Sequence, residues 1–129
     1  MRKRQAELGR GCQARRVFLT EESFGGRKDG RGSGMIGGIG TKPPSVTGTA
    51  HNTSDQPIYN VEFRWHKGVA AHGDPELAGA VMPRQQVTRS ANFPHDTNME
   101  RSGATIRFTD AAGLRWIRRA DGYLAEEQP

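Results

Sequence analysis

The sequence predicts an all-β protein, a small antiparallel β-sandwich of about five to seven strands, behind a flexible N-terminal extension. Three observations carry that expectation. Apolar and polar residues alternate with period two from Ser45 onward. Clusters of turn-forming residues separate the alternating runs. No stretch carries a convincing helical period.

The chain opens with Met1 to Arg16, five arginines and a lysine among scattered polar residues. Gly9 and Gly11 there would each cost about 1 kcal/mol inside a helix. Val17-Phe18-Leu19-Thr20 is a short apolar run suited to an added edge strand. Gly25 to Gly40 is glycine-rich, with Met35, Ile36 and Ile39 as its apolar side chains. So little burial does not offset the entropy of ordering such a stretch. Lys42-Pro43-Pro44 closes it. The expected organisation is therefore a basic, largely disordered extension over 1–44 and a β-sandwich over 45–129.

Within the sandwich, Ser45 to His51 reads as a modest strand, and the turn formers from Asn52 to Pro57 end it. Ile58 to His66 is the clearest strand, with Tyr59, Val61, Phe63 and Trp65 on one face and Asn60, Glu62, Arg64 and His66 on the other. Lys67 to Leu77 contains Gly68, Gly73 and Pro75 and reads as a loop. Ala78–Met82 and Gln85–Asn92 are weaker strands around Pro83, and Phe93 to Ser102 reads as loop again. Ile106 and Phe108 then alternate with Arg107 and Thr109 before Asp110-Ala111-Ala112-Gly113. A three-residue hairpin loop ends on a left-handed residue, which suits Gly113. That register sets Phe108 opposite Trp116 and Arg107 opposite Ile117. Turn chemistry and hydrophobic pattern select the same pairing. Asp121-Gly122 marks a further turn before Tyr123-Leu124. The expected core is Tyr59, Val61, Phe63, Trp65, Phe108 and Trp116.

Composition fits one small domain with a tail. The 129 residues are 33% hydrophobic, with seventeen glycines and seven prolines, and the mean hydropathy is −0.77. The net charge of +5 is unevenly placed. Residues 1–43 hold ten Lys/Arg against four Asp/Glu, and residues 44–129 hold nine against ten. The basic balance belongs to the front segment and says nothing of what the sandwich binds. Cys12 is the single cysteine, so no intrachain disulfide and no cysteine zinc site can form. Met1 to Arg4 are not followed by an apolar signal core, and no stretch approaches the roughly 20 apolar residues of a membrane helix. A soluble, cytoplasmic protein is the expectation.

The segments NTSDQPIYNVEFRW and FTDAAGLRWIRRADGYL resemble small domains of uncharacterised actinobacterial proteins. Those pair an N-x-S-x-x-P-[VI]-[YR]-[ND]-V start with a closing F-[TR]-D-x-x-G-x-x-W-x-R-x-x-x-G-x-L. The matching positions here are Asn52, Ser54, Pro57, Ile58, Tyr59, Asn60 and Val61, then Phe108, Thr109, Asp110, Gly113, Trp116, Arg118, Gly122 and Leu124. Relatives often carry a leucine-proline-proline-glycine turn between the two, where this chain has Val81-Met82-Pro83-Arg84. The resemblance covers about residues 45–125. It implies an Ig-like β-sandwich, appended to other modules and without assigned catalysis.

Chemistry-bearing motifs are sparse. Gly32-Ser33-Gly34-Met35-Ile36-Gly37 fits G-x-G-x-x-G but lacks the strand before and the helix after that a dinucleotide fingerprint needs. His66 and His72 with Asp74 lack zinc-ligand spacing. No nucleophile elbow is present. Asp110 and Asp121 sit in turns, where capping backbone N–H groups is their expected work. Asn52-Thr53-Ser54 has the form of a glycosylation sequon, but a turn accounts for it better. No enzyme activity, cofactor or metal is expected.

Two binding surfaces stand out. Arg107, Arg115 and Arg119 share the outward face of the last hairpin around Ile117, an arrangement suited to an acidic protein surface. The front segment offers Arg2, Lys3, Arg4, Arg15, Arg16, Arg27, Lys28 and Arg31 to a polyanion such as RNA. The leading expectation is a non-catalytic protein-interaction module. The alternative is a polyanion- or RNA-binding accessory protein working through residues 1–43.

Overall fold

The computed structural model describes residues 12–25 and 42–127, which build eight strands. These are β1 (Val17–Phe24), β2 (Ser45–Asn52), β3 (Ile58–Lys67), β4 (Ala70–Val81), β5 (Gln86–Asn92), β6 (Ser102–Thr109), β7 (Arg115–Arg119) and β8 (Leu124–Glu126). The helical content among the described residues is two single 3-10 turns, Ala14–Arg16 and Met99–Arg101. The all-β expectation holds, with eight strands rather than five to seven. They form two antiparallel sheets, β1-β2-β5 and β4-β3-β6-β7-β8, whose inner faces share one core.

Three sequence expectations are corrected. First, the folded body begins well before Ser45. β1 pairs with β2 from Val17↔Asn52 to Phe24↔Ser45, and Ala14, Val17 and Leu19 are buried. Without β1, β2 would show a bare edge on the side away from β5, and the Val17/Leu19 alternation supplies the covering strand. The G-x-G-x-x-G stretch over 32–37 lies outside the described residues.

Second, the stretch read as a loop over 67–77 is mostly strand. β3 and β4 form a hairpin through the two-residue turn Gly68-Val69, with Lys67 opposite Ala70. β4 is an edge strand, so Pro75 leaves no ladder bond unmade, and the register shifts along β3 absorb Gly73 and Gly79. A glycine- and proline-bearing edge strand looks like a loop when only composition is read.

Third, Tyr59 is not in the core; it is 42% exposed, and Ile58 is buried in its stead. Asn60 sits at φ 50°, a left-handed conformation that Asn tolerates, and the β3 register shifts between Ile58 and Val61. The extra residue resets the alternation. Val61, Phe63, Trp65, Phe108 and Trp116 are buried as expected.

The sheets approach closely at Gly48, where a Cβ would lie 3.3 Å from the Phe63 ring and 3.5 Å from the Ala104 Cβ. Polar contacts close both open sides of this thin core. On one, Arg89 Nε of β5 meets Glu76 Oε2 of β4 at 3.2 Å, and His72 stacks on Phe93 with centroids 4.1 Å apart. On the other, Glu21 Oε2 of β1 accepts from the Ala104 amide at 2.8 Å. Beside it, Arg118 of β7 donates to the Val17 carbonyl at 2.8 Å, to Gly122 O at 2.8 Å and to Arg15 O at 3.4 Å. Arg118 is only 8% exposed, and burial holds its guanidinium below the usual arginine range.

Asn52 and Ser54 fasten the β2–β3 turn. Asn52, fully buried, donates to the carbonyls of Gln56, Val81 and Met82, and its Oδ1 accepts from the Ser54 amide and hydroxyl. One side chain thereby ties the β2–β3 turn to the end of β4. Gln13 reinforces it, donating to Ser54 Oγ, Gln56 O and Pro57 O while accepting from the Ala111 amide of the β6–β7 turn. A buried Asn52 amide engaged in this way is not available for glycan transfer in the folded chain.

Two stability predictions follow from these contacts. Asn52→Ala removes the buried bond to Val81 O and the acceptor of the Ser54 amide and hydroxyl, and should cost about 2–4 kcal/mol in urea or thermal unfolding; a loss under about 1 kcal/mol would show that water replaces the side chain. Arg84 occupies a turn in which Gln85 N bonds Met82 O, and its φ is 61°. Glycine is favoured at that position after Pro83. Arg84→Gly should therefore stabilise the domain by about 0.5–1 kcal/mol net of the glycine's added unfolded-state entropy, read as a rise in Tm of several degrees.

Candidate partner-binding face

The geometry of the last hairpin follows from its turn. Asp110 N bonds Leu114 O at 2.8 Å, Gly113 N bonds Asp110 O at 3.0 Å, and Gly113 takes φ 91°. The Asp110 carboxylate beneath accepts from the Ala112 and Leu114 amides and, through Oδ2, from Trp116 Nε1 at 2.9 Å. The resulting register pairs Phe108 with Trp116 inside and Arg107 with Ile117 outside, as read from the sequence. The next turn repeats the device. Arg119 N bonds Tyr123 O, Gly122 N bonds Arg119 O, and Gly122 sits at φ 100°.

Arg107, Arg115, Ile117 and Arg119 therefore share the outward face of the five-stranded sheet, but their charges are not equivalent. Arg115 Nη1 donates to Asn60 O at 2.7 Å and Thr109 Oγ1 at 3.1 Å, and the same guanidinium meets Glu62 Oε1 at 3.5 Å and Glu127 Oε1 at 3.7 Å. Arg107 Nη2 meets Glu127 Oε2 at 3.1 Å. Arg64, on the same face, pairs with Glu62 at 2.6 Å. Arg119 has no carboxylate within ion-pair distance among the described residues; its guanidinium lies over the Tyr123 ring at 4.1 Å. An arginine cluster in the sequence thus becomes, in three dimensions, an ion-paired frame around Arg119, which has no carboxylate partner among the described residues.

Arg119 lines an open cleft of about 680 Å³ on this face. Ile117, Val69, Ala71 and Tyr123 contribute apolar surface to it, and Arg64 and Arg107 its charged side. Val69, at the tip of the β3–β4 turn, is fully exposed. His66 also lines the cleft, with its ring against Gly103, where a Cβ would come within 2.9 Å of Cε1. Sequence reading missed Tyr123 and Val69. Tyr123 was findable, because Gly122 repeats the turn chemistry of Gly113 and so sets Tyr123 opposite Arg119. Val69 was not, because its hairpin lay hidden in an apparent loop.

The other candidate residues are not gathered here. Arg15 and Arg16 lie exposed in the 3-10 turn ahead of β1, while Arg2, Lys3, Arg4, Arg27, Lys28 and Arg31 lie outside the described residues. His66 and His72 stand on strands rather than on one loop, and His72 Nε2 lies 2.8 Å from Asn92 O. Among the described residues no group of three or more His, Cys, Asp or Glu is placed to hold a metal ion. No helix among them is long and apolar enough to cross a membrane.

Comparison with protein-family models found no match, and comparison with curated proteins found none. Among solved structures, the chain is similar to one described as "X-ray structure of Northeast Structural Genomics Consortium target SoR45". The identity is 13% and the TM-score 0.33, over 88% of this chain and 82% of that one.

The ion-paired frame makes a measurable claim. A double-mutant cycle on Arg107→Ala and Glu127→Ala should give a coupling of about 0.2–1 kcal/mol, shrinking with added salt, because both side chains are about a quarter exposed. Zero coupling at low ionic strength would mean that Glu127 leaves Arg107 free.

Proposed function

We propose that this chain is a non-catalytic Ig-like β-sandwich module that binds another protein through the outer face of its five-stranded sheet. Two lines support the Ig-like reading. Lettered A, B, C, C′, E, F and G in chain order, the first seven strands divide into A-B-E and C′-C-F-G, the partition of Ig-like sandwiches whose fourth strand joins the second sheet; β8 extends that sheet by one. The buried Asn52 and the Asp110–Trp116 clamp also give structural work to the residues shared with the actinobacterial domains.

The observation that carries the binding reading is the cleft at Ile117 and Arg119. It joins an unpaired guanidinium to exposed apolar surface, the mixture found at interface centres. Arg107 and Arg115, held by Glu62 and Glu127, frame the contact rather than make it. His72, Glu21, Glu76 and Asp110 serve seams and turns, and no group of three or more His, Cys, Asp or Glu among the described residues is placed to hold a metal ion, which supports an interaction role over a catalytic one.

The test compares partner capture by the full chain with capture by an Ile117→Asp, Arg119→Glu variant, after circular dichroism shows that both are folded. A captured protein should bind the purified wild-type chain directly and lose at least tenfold in affinity for the variant. A partner bound equally by both would remove this face from the function.

A further inference from the structure

We infer that the cleft around Arg119 takes an acidic protein segment that presents a carboxylate next to an aliphatic side chain; this rests on the interaction-module reading above. The inference turns on which charge is free. Of the three arginines that line the cleft, Arg64 is committed to Glu62 at 2.6 Å and Arg107 to Glu127 at 3.1 Å. Arg119 makes no ion pair among the described residues, and no side-chain hydrogen bond of its guanidinium is found among them. Arg119 and Tyr123 both line the cleft, with the guanidinium stacked over the Tyr123 ring at 4.1 Å. A cation held in this way against an aromatic face loses less freedom when it grips a planar anion, so the fork suits a carboxylate.

Beside it lie Ile117 and Ala71, with the fully exposed Val69 at the rim. An aliphatic residue on the partner would cover these and exclude water from the ion pair, which strengthens it. The aliphatic neighbour therefore belongs to the recognition, and a bare anion would satisfy only half of the cleft.

The charge balance argues against a nucleic-acid strand. Phosphodiester binding draws its affinity from many phosphate contacts made at once. This cleft offers one arginine without an ion pair among the described residues, and Glu21 and Asp121 are also among its lining residues. A strand of regularly spaced phosphates would meet those carboxylates as well as Arg119. A protein segment can place its acids to avoid them.

The test uses the isotope-labelled full chain and three probes: the blocked peptide acetyl-Glu-Leu-Glu-Leu-Glu-amide, its all-glutamine analogue, and a short oligothymidylate. In an NMR titration the acidic peptide should shift the amides of Val69, Ile117, Arg119 and Tyr123. The glutamine analogue should bind on the order of tenfold or more weakly, the difference expected for one charge-assisted fork. Arg119→Gln should weaken the acidic peptide by a similar factor. Arg115→Gln, whose guanidinium is held by Asn60, Thr109 and carboxylates outside the cleft, should change it less than twofold.

Equal binding of the glutamine analogue at the cleft would overturn the acidic preference and leave the interaction-module reading standing. Tighter binding of the oligothymidylate at the same amides would overturn it in favour of nucleic acid. No shift at the cleft with any probe overturns the inference; the interaction reading then fails with it only if partner capture is also unaffected by the Ile117→Asp, Arg119→Glu variant.

Discussion

The Asp110 carboxylate, 4% exposed beneath the β6–β7 turn, satisfies three donors at once: the Ala112 and Leu114 amides and the Trp116 indole. Everything on the five-stranded sheet beyond β6 depends on that arrangement. Holding Trp116 on the inner face puts Arg115 and Ile117 on the outer one, because side chains alternate along a strand. A slip of one residue would bury arginines and expose the indole. The β7–β8 turn inherits the register and sets Tyr123 against Arg119. The cleft is thus a downstream consequence of one buried carboxylate.

The same economy runs through the rest of the fold. The core is small for two sheets, and its buried aromatic side chains are few: Phe63, Trp65, Phe93, Phe108 and Trp116. Domains of this size bury a modest share of their surface. Here the open sides between the sheets are closed by polar contacts instead. Arg118 reaches the β1 backbone, Glu21 reaches the β6 backbone, and Glu76 meets Arg89. Each of these bonds joins the two sheets, and shear of one over the other would leave the buried Arg118 guanidinium and the partly buried Ala104 amide unpaired. Asn52 does the same work at one end of the body. Buried polar groups therefore specify how the sheets sit, while apolar burial supplies the bulk of the driving force.

Where sequence reading succeeded, a local rule and the hydrophobic pattern agreed. The β6–β7 register followed from Gly113 and from Phe108 and Trp116, all within one hairpin. Where it failed, the deciding interaction lay far along the chain or inside an irregularity. Asn60 adopts a left-handed conformation that composition does not announce, so the alternation was carried one residue too far, to Tyr59. The first part of β4, up to Leu77, contains Gly73 and Pro75 and reads as a loop, although an edge position tolerates both. The apolar run Val17–Thr20 reads as an added edge strand, but its continuation to Phe24 and its place in the folded body follow only from the need of β2 for a second neighbour. The arginine face shows the same limit in charge: of the carboxylates that hold Arg115, Glu62 is distant in sequence and Glu127 comes just past β8. The four arginine-face residues could be named from the sequence, but not which one of them stays free.

The central claim is that the buried Asp110 carboxylate sets the register from which the outer face follows. Hydrogen exchange at the Trp116 indole N–H, followed by NMR in the full chain at neutral pH, tests it most directly. The account predicts an indole proton protected nearly as well as the paired amides of β6 and β7, because it is buried and bonded to Asp110. Exchange at the rate of a free, solvent-exposed indole would contradict it.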